Sequence, residues 1–224
     1  MGRIHPLTQM TERVVKFFAE LGFEICQTSE IESEWNNFDS LRVPADHPSR
    51  DQQDTFWFDK THLLRAHTTA GYVGLMKDRR PPVRLVIPGR CYRREATDES
   101  HEATFYQIDA FCLDKNITFG DLIGTMEAFL KNILGPQSAI KLIPHHYPFV
   151  EPGLDIYIKF KDKWMEILGS GMLHPVVIKN MELNPRQWQG WAFGVGLDRL
   201  MMLYYGVNDI RLSYQNDFRF LKQF

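Results

Sequence analysis

The chain has 224 residues, and 44% of them are hydrophobic, which is enough apolar material for a sizeable core. Its formal net charge of −2 excludes the overall basic character that is typical of many nucleic-acid-binding proteins. No linker or repeat interrupts the sequence, so we expect one domain over residues 1–224. Cys26, Cys91 and Cys112 lack metal-ligand spacing and are expected to be reduced. Without a signal peptide or a membrane-length apolar run, a cytoplasmic location is expected.

Hydrophobic periodicity predicts a mixture of helices and strands. Apolar residues at helical spacing predict helices over 8–22, 68–76, 118–134, 176–181 and 197–205. Alternating or β-branched runs predict strands over 23–31, 55–58, 83–87, 105–111, 140–144, 154–160 and 163–168. The proline-containing interval 35–54 is expected to be irregular. Strands outnumber helices and are joined by short turns, as at 161–162, so we predict an α+β fold with an antiparallel sheet flanked by helices.

One strand–loop–strand segment concentrates charged and amide side chains between aromatic positions. Arg93 and Glu95 share one parity along the first strand, so both should point to one face of the sheet. Gln107 and Asp109 do the same on the second strand. Burying such groups is costly unless they bind something, and the connecting loop at 96–102 is long and polar. The pattern suits an anionic ligand that also has a cationic or polar end.

Several motifs, in chain order, resemble the catalytic domain of the phenylalanyl-tRNA synthetase alpha subunit, which belongs to the class II aminoacyl-tRNA synthetases. Motif 2 is resembled by Arg-Arg-Glu at 93–95, His-Glu-Ala-Thr-Phe at 101–105 and Gln-Ile-Asp at 107–109. Motif 3 is resembled by Gly-Trp-Ala-Phe-Gly-Val-Gly-Leu-Asp-Arg-Leu at 190–200, and the motif 1 region by residues 5–9 and 38–48. The likeness runs through the whole chain at matching spacing, so it implies a class II catalytic domain.

The resemblance implies a ligase that uses ATP and Mg²⁺ to convert phenylalanine to phenylalanyl-adenylate and then charges tRNA(Phe). The family partner is a beta subunit. For the isolated chain we expect a homodimer, because Phe38, Leu41 and Val43 look too apolar for an exposed irregular segment. In the family a coiled-coil arm that grips tRNA precedes motif 1, whereas this sequence starts almost at His5. The sequence leaves open whether it is a piece of a longer protein or a short relative.

Two other functions fit the same motifs. An arm-less paralogue would adenylate a different amino acid for an acceptor other than tRNA. A non-catalytic module would only bind ligands or a partner, although such a module has no physical need to keep Arg93, Glu95 and Arg199 together. The first alternative is the stronger of the two.

The nucleotide site is implied residue by residue. Arg93 matches the arginine that holds the α-phosphate and the amino-acid carboxylate, and Arg199 matches the one that covers adenine and reaches the γ-phosphate. Both are the catalytic candidates, since fixed cations stabilise charge that develops on phosphate. The other ATP-binding candidates are Glu95 near the adenine amino group, His101 and Glu102 in the loop, Phe105 stacked on adenine, and Gly194 and Gly196, which admit the nucleotide. Glu151 matches a magnesium-binding glutamate of the family.

The amino-acid-binding candidates are His67, Thr69, Tyr72, Gln107, Asp109, Tyr147, Phe149, Val150 and Ala192. The positions around the α-amino group are matched by His67, Thr69, Gln107 and Asp109. Tyr147 and Phe149 fall on two phenylalanines that sandwich the substrate ring, while Val150 and Ala192 match the pocket floor. Tyr72, Asp109 and Tyr147 depart from the usual glutamine, glutamate and phenylalanine. A buried phenol needs a hydrogen-bond partner, and a polar substrate could supply it.

Overall fold

The computed structural model describes residues 3–94, 96–99, 101–160 and 163–224. Glu95, a predicted adenine contact, and the predicted turn at 161–162 lie outside these ranges. The helices are α1 (Pro6–Glu20), α2 (Glu34–Asn37), α3 (Gly71–Met76), α4 (Phe119–Leu134), α5 (Pro175–Asn180), α6 (Leu197–Tyr205) and α7 (Phe218–Leu221). The strands are β1 (Glu24–Ile25), β2 (Ile31–Ser33), β3 (His62–Leu64), β4 (Val83–Tyr92), β5 (Thr104–Asp114), β6 (Ile140–Pro144), β7 (Val150–Phe160), β8 (Lys163–Leu173) and β9 (Gln189–Gly196).

A seven-stranded sheet organises the described chain, in the order β1-β4-β5-β9-β8-β7-β6. All neighbours in it are antiparallel except β1, which pairs in parallel with β4. β2 and β3 form a separate two-stranded sheet. The predicted α+β class and the antiparallel sheet are therefore confirmed, with β1 as a single parallel addition.

The two faces of the sheet are covered differently. Ile108 and Ala110 of β5 belong to a core cluster that includes α1, α4 and α6. Phe111, also on β5, belongs to a second cluster with residues of α3 and α5. Successive side chains of a strand point to opposite faces, so β5 packs on helices on one side and reaches the second cluster on the other. Gln107 and Asp109 share this second face, which the helices only partly cover.

Helix α4 starts and ends where its sequence predicts. The Thr118 hydroxyl accepts from the Asp121 backbone N–H, and the Asp121 carboxylate accepts from the Thr118 N–H, so two backbone donors are satisfied. Gly135 ends the helix with a φ of 100°, a conformation that glycine adopts without a steric penalty. Leu122, Met126 and other apolar residues at helical spacing are buried against the sheet.

Two strand predictions are wrong in part. The predicted strand at 23–31 divides into β1, in the large sheet, and β2, in the small one, and the residues between them are irregular. The predicted strand at 55–58 does not form. Only Trp57 makes a bridge, to Leu63, because the backbone before it is held in turns by Asp54 and Thr55 N–H groups that bond to the Asp51 carbonyl.

The central strand β9 is absent from the sequence prediction. Three of its eight residues are glycines, which lower strand propensity and obscure the pattern. Yet Trp191, Phe193 and Val195 alternate along it and are all buried in the helix-covered core. That alternation was the available signal for a strand.

Phe38 and Leu41, which were expected to be covered by a second subunit, are covered within the chain itself. Their side chains are 1% and 0% exposed, and Leu41 packs in the second core cluster, because a short 3₁₀ turn at Asp39–Leu41 folds the segment inward. Val43 is half-buried. Among the helices described, none is both long and apolar enough to cross a lipid bilayer.

Candidate active site

A cavity of about 360 Å³ opens on the sheet face that carries Gln107. Strands β5, β8 and β9 form its floor, and α6 begins at its edge. The predicted residues that line it are His67, Thr69, Tyr72, Arg93, His101, Glu102, Phe105, Gln107, Tyr147, Phe149, Val150, Ala192, Gly194, Gly196 and Arg199. Segments that are far apart in sequence therefore meet at one concave site.

Arg93 and Phe105 form one cationic end of the cavity. Arg93 follows the last residue of β4, and its Nε donates to the Ala66 carbonyl at 3.1 Å. The guanidinium carbon lies 4.9 Å from the centroid of the Phe105 ring, within the range of a cation–π contact. The Phe105 ring thus supports Arg93 in this structure, and the arginine is positioned before any ligand arrives.

Arg199 lies in the first turn of α6 and contacts the loop between β4 and β5. Its Nη2 is 3.3 Å from His101 Nε2, and His101 Nδ1 lies 3.0 Å from the Asp98 carboxylate. The Ile210 N–H donates to the Glu99 carbonyl at 3.0 Å, so the segment after α6 also holds this loop. Described loop residues therefore lie over the end of the cavity that carries Arg199.

His67 is held in its neutral form between two arginines. Burial, together with the charges of Arg93 and Arg65, lowers the pKa of His67 to about 3. Its Nδ1 is buried and makes no hydrogen bond within the described part of the chain. His67 lines the cavity, so a neutral imidazole forms part of the cavity wall.

Asp109 lies behind the cavity wall and does not line it. Its carboxylate accepts from the Thr69 hydroxyl and, at 2.7 Å, from Gln107 Nε2. Burial raises the pKa of Asp109 to about 6, although these two hydrogen bonds oppose the rise. A Cβ on Gly194 would lie 2.5 Å from the Asp109 carboxylate, so a side chain at this position would collide with that carboxylate.

Asp198 joins three segments beside Arg199. It lies in the first turn of α6, lines the cavity and is 2% exposed. Its carboxylate accepts from the Tyr106 N–H at 2.7 Å and from the Tyr214 hydroxyl at 2.5 Å. Burial raises the pKa of Asp198 to about 6, partly offset by these hydrogen bonds. Asp198 therefore ties α6 to β5 and to the C-terminal segment.

The other end of the cavity is aromatic. The Tyr147 and Phe149 rings are stacked with centroids 5.6 Å apart and an interplanar angle of 27°. The Tyr147 hydroxyl donates to Asp155 at 2.6 Å, and the Tyr72 hydroxyl lies 3.4 Å from the Ala110 carbonyl. Both phenols are thus bonded to groups of this chain. The rings remain as apolar walls beside the small side chain of Ala192.

Two of the predicted site residues lie off the cavity wall, and several residues that line the cavity were not predicted. Asp109 is one layer behind, while Glu151 has a largely exposed side chain 3.4 Å from His174. Among the residues described, no three His, Cys, Asp or Glu side chains converge as a metal site. The lining residues that the sequence analysis did not assign to the site are Glu166, Ile167, Leu168, Gly169, Ser170, Phe193, Asp198 and Ile210.

Comparison with known proteins identifies the family of the chain. The family model described as tRNA synthetases class II core domain (F) matches residues 1–224. Phenylalanine–tRNA ligase alpha subunits from Cronobacter sakazakii and Edwardsiella ictaluri are each 44% identical to this chain over 224 residues. These matches cover 100% of this chain and 68% of each relative.

A likeness in three dimensions extends to a more distant synthetase. The crystal structure of pyrrolysyl-tRNA synthetase from Desulfitobacterium hafniense superposes with a TM-score of 0.77 at 19% identity, over 95% of this chain and 74% of that one. At this identity the likeness concerns the fold alone. Taken with the full-length sequence match, it leads to the conclusion that the chain belongs to the class II aminoacyl-tRNA synthetases, as a ligase of the phenylalanine–tRNA ligase alpha subunit family.

Proposed function

We propose that this chain activates phenylalanine with ATP and passes the phenylalanyl group to tRNA(Phe). The observation that carries the proposal is a single cavity with Arg93 and Arg199 at one end and the Tyr147–Phe149 pair at the other. Such a cavity suits a substrate with an anionic group and an apolar ring. The name of the relatives, phenylalanine–tRNA ligase alpha subunit, supports the same substrate.

In the first step, a carboxylate oxygen of phenylalanine attacks the α-phosphorus of ATP, and the bond to the β-phosphate oxygen breaks, releasing pyrophosphate. Negative charge grows on the α-phosphate oxygens during the attack. Arg93, positioned beforehand by Ala66 and Phe105, is the proposed cation at that point. Arg199 is proposed to hold the nucleotide from the opposite side, close to His101.

The α-ammonium group of the substrate is proposed to bind at Thr69 and Gln107. Both side chains line the cavity, and both donate to Asp109, so the substrate would meet their oxygen atoms with a negative charge directly behind. Opposite charge in a buried setting attracts the ammonium group strongly. His67, neutral and unpaired at Nδ1, does not repel it.

In the second step, a ribose hydroxyl at the tRNA end attacks the carbonyl carbon of the adenylate, and AMP leaves.

Mg²⁺ is the proposed ion of the first step, with Glu151 as its protein ligand. Because no cluster of ligand side chains surrounds Glu151 in the described residues, the ion would draw its remaining ligands from phosphate oxygens and water, as Mg²⁺ commonly does.

We further propose that residues 1–224 act as one catalytic domain that works with a beta-type subunit. A cytoplasmic location is proposed because Cys26, Cys91 and Cys112 are all unpaired, as is usual in a reducing compartment. The proposed amino-acid and nucleotide sites use residues of this chain alone, so we propose that the subunit serves assembly and tRNA binding.

The test is acyl transfer with radiolabelled phenylalanine, ATP and tRNA(Phe), with and without a beta-type subunit. We expect adenylate with the chain alone, and acid-stable phenylalanyl-tRNA once the subunit is present. Adenylate without any transfer to tRNA in the assembled complex would instead favour the paralogue that serves another acceptor.

A further inference from the structure

A buried polar pair behind the aromatic end of the cavity takes no part in the mechanism. Asp155, on β7, is 4% exposed and is paired in register with Gly169 of β8. One of its oxygens accepts from the Tyr147 hydroxyl at 2.6 Å, and the other lies 3.2 Å from His145 Nδ1. Asp155 does not line the cavity, so the hydrogen-bond acceptor of the Tyr147 hydroxyl lies where a bound substrate would not contact it.

Gly169 fixes the same phenol by leaving room for it. A Cβ at Gly169 would lie 2.6 Å from the Tyr147 hydroxyl oxygen and 2.8 Å from its Cζ. These distances are far below van der Waals contact, so any side chain there would displace the ring. Tyr147 is therefore held from two directions, by a hydrogen bond to Asp155 and by close packing on the Gly169 backbone.

We propose that Asp155 is a specificity-determining positioning residue, which holds the Tyr147 hydroxyl outside the cavity so that the ring face becomes the wall for the substrate side chain. A phenol that was free to turn inward would offer a hydrogen-bond donor and would favour a substrate with a polar ring. A phenol bonded to Asp155 leaves an apolar wall, stacked on Phe149, that favours an unsubstituted phenyl ring. The inference rests on the proposed function, because it concerns which amino acid that site accepts.

The chemistry of buried pairs sets the expected pattern of variants. Removing one partner of a buried hydrogen bond leaves the other unsatisfied, whereas replacing both by apolar groups of similar shape is far less disruptive. Asp155→Leu leaves the Tyr147 phenol without its acceptor. Adding Tyr147→Phe removes the unsatisfied phenol as well.

The experiment measures pyrophosphate exchange with phenylalanine and with tyrosine in the wild type, Asp155→Leu, Asp155→Asn and the double variant Tyr147→Phe/Asp155→Leu. We expect Asp155→Leu to raise KM for phenylalanine roughly 10-fold and to reduce the preference over tyrosine, while KM for ATP stays within about twofold. Asp155→Asn keeps an oxygen acceptor and should lose less. The double variant should recover most of the loss, which a general structural defect would not allow.

Three outcomes decide the matter. If the wild-type protein activates no phenylalanine, both the proposed function and this inference are wrong. A wild type that does so, with Asp155→Leu folded and its KM for phenylalanine within about twofold, overturns the inference alone. If the double variant has the same KM for phenylalanine as Asp155→Leu, the inference is also overturned. If Asp155→Leu fails to fold, Gly169→Ala is measured instead, and an unshifted KM for phenylalanine there overturns the inference.

Discussion

Arg93 and its neighbour Arg94 form a matched pair for a test of the catalytic arginine. Arg93 lines the cavity, whereas Arg94 is exposed and donates to the Gln52 carbonyl. Arg93→Ala should lower the rate of adenylate formation roughly 100- to 1000-fold, because one fixed charge-stabilising donor is lost. Arg94→Ala should lower it little. Rates are measured by single-turnover adenylate formation, and similar rates in the two variants would contradict the role of Arg93.

The pKa of Asp109 makes a prediction about pH. Its carboxyl group must be ionised to attract the substrate ammonium, and burial raises its pKa to about 6. We therefore expect kcat/KM for phenylalanine to fall as pH decreases through about 6, and Asp109→Asn to be low and nearly flat across the same range. A wild-type profile that is level between pH 7 and pH 5 would exclude this role.

Protonation of Asp109 and Asp198 does not itself destabilise the fold, whereas His67, whose pKa is lowered to about 3, works in the opposite direction below about pH 6.5. The pKa values of Asp109 and Asp198 are both raised from 3.8 to about 6 in the folded chain. The folded state then binds protons more tightly than the unfolded state. For these two groups, the free energy of unfolding rises as pH falls from above 6 toward 3.8, and this gain is lost as pH rises through 6. Thermal unfolding at each pH separates this effect from catalysis.

At the scale of elements, Asp198 is the junction between α6, β5 and the C-terminal segment. Tyr214→Phe removes one of its two hydrogen-bond donors and leaves a buried carboxylate only partly satisfied. We expect a loss of about 1–3 kcal/mol in the free energy of unfolding and weaker ATP binding, since α6 carries Arg199.

Tyr205→Phe is the control for this change. Its hydroxyl donates to Gln9 at 3.0 Å, and the residue does not line the cavity. Urea unfolding and nucleotide titration are compared between the two variants. Equal nucleotide affinity in Tyr214→Phe and Tyr205→Phe would mean that the junction does not position Arg199.

Elements with strong local signals were predictable from the sequence, whereas those defined by distant partners were not. Helix α4 carries its own capping residues at Thr118 and Asp121, so its start was predicted within one residue. The strand expected at 55–58 failed because turns at Asp51 hold the backbone before Trp57, which leaves a single bridge from Trp57 to Leu63. β9 was missed because its three glycines lower strand propensity, and two of them, Gly194 and Gly196, line the cavity.

The site shows the same division. Residues within the motifs, such as Arg93 and Gln107, were assigned from the resemblance, and the structure brings them to one cavity. Asp155 and Glu166 lie on β7 and β8, where a shift of register between Ile156 and Tyr157 interrupts simple alternation. Which side chains of these strands meet Tyr147 depends on that register, and no local pattern encodes it.

For the whole molecule, exposed apolar side chains point to an assembly surface. Trp35 and Phe58 are 51% and 72% exposed on neighbouring segments around β2 and β3. We expect the isolated chain to form a homodimer or to bind a beta-type subunit through this region, because large exposed apolar groups mark interaction sites. Phe218, which is 75% exposed on α7, provides a control.

Sedimentation velocity at micromolar concentration measures this assembly. The double variant Trp35→Ser/Phe58→Ser should shift the chain toward monomer or weaken subunit binding, and Phe218→Ser should not. A wild-type chain that is monomeric and also ignores a beta-type subunit would refute the assembly proposal.

The central claim is that this chain activates phenylalanine, and pyrophosphate exchange against all the common amino acids tests it most directly. The geometry joins two arginines to an apolar aromatic end whose phenols are already bonded within the chain. We therefore expect phenylalanine to give the highest kcat/KM, well above tyrosine. Exchange that is faster with another amino acid, or absent with every one in the assembled enzyme, would contradict the account.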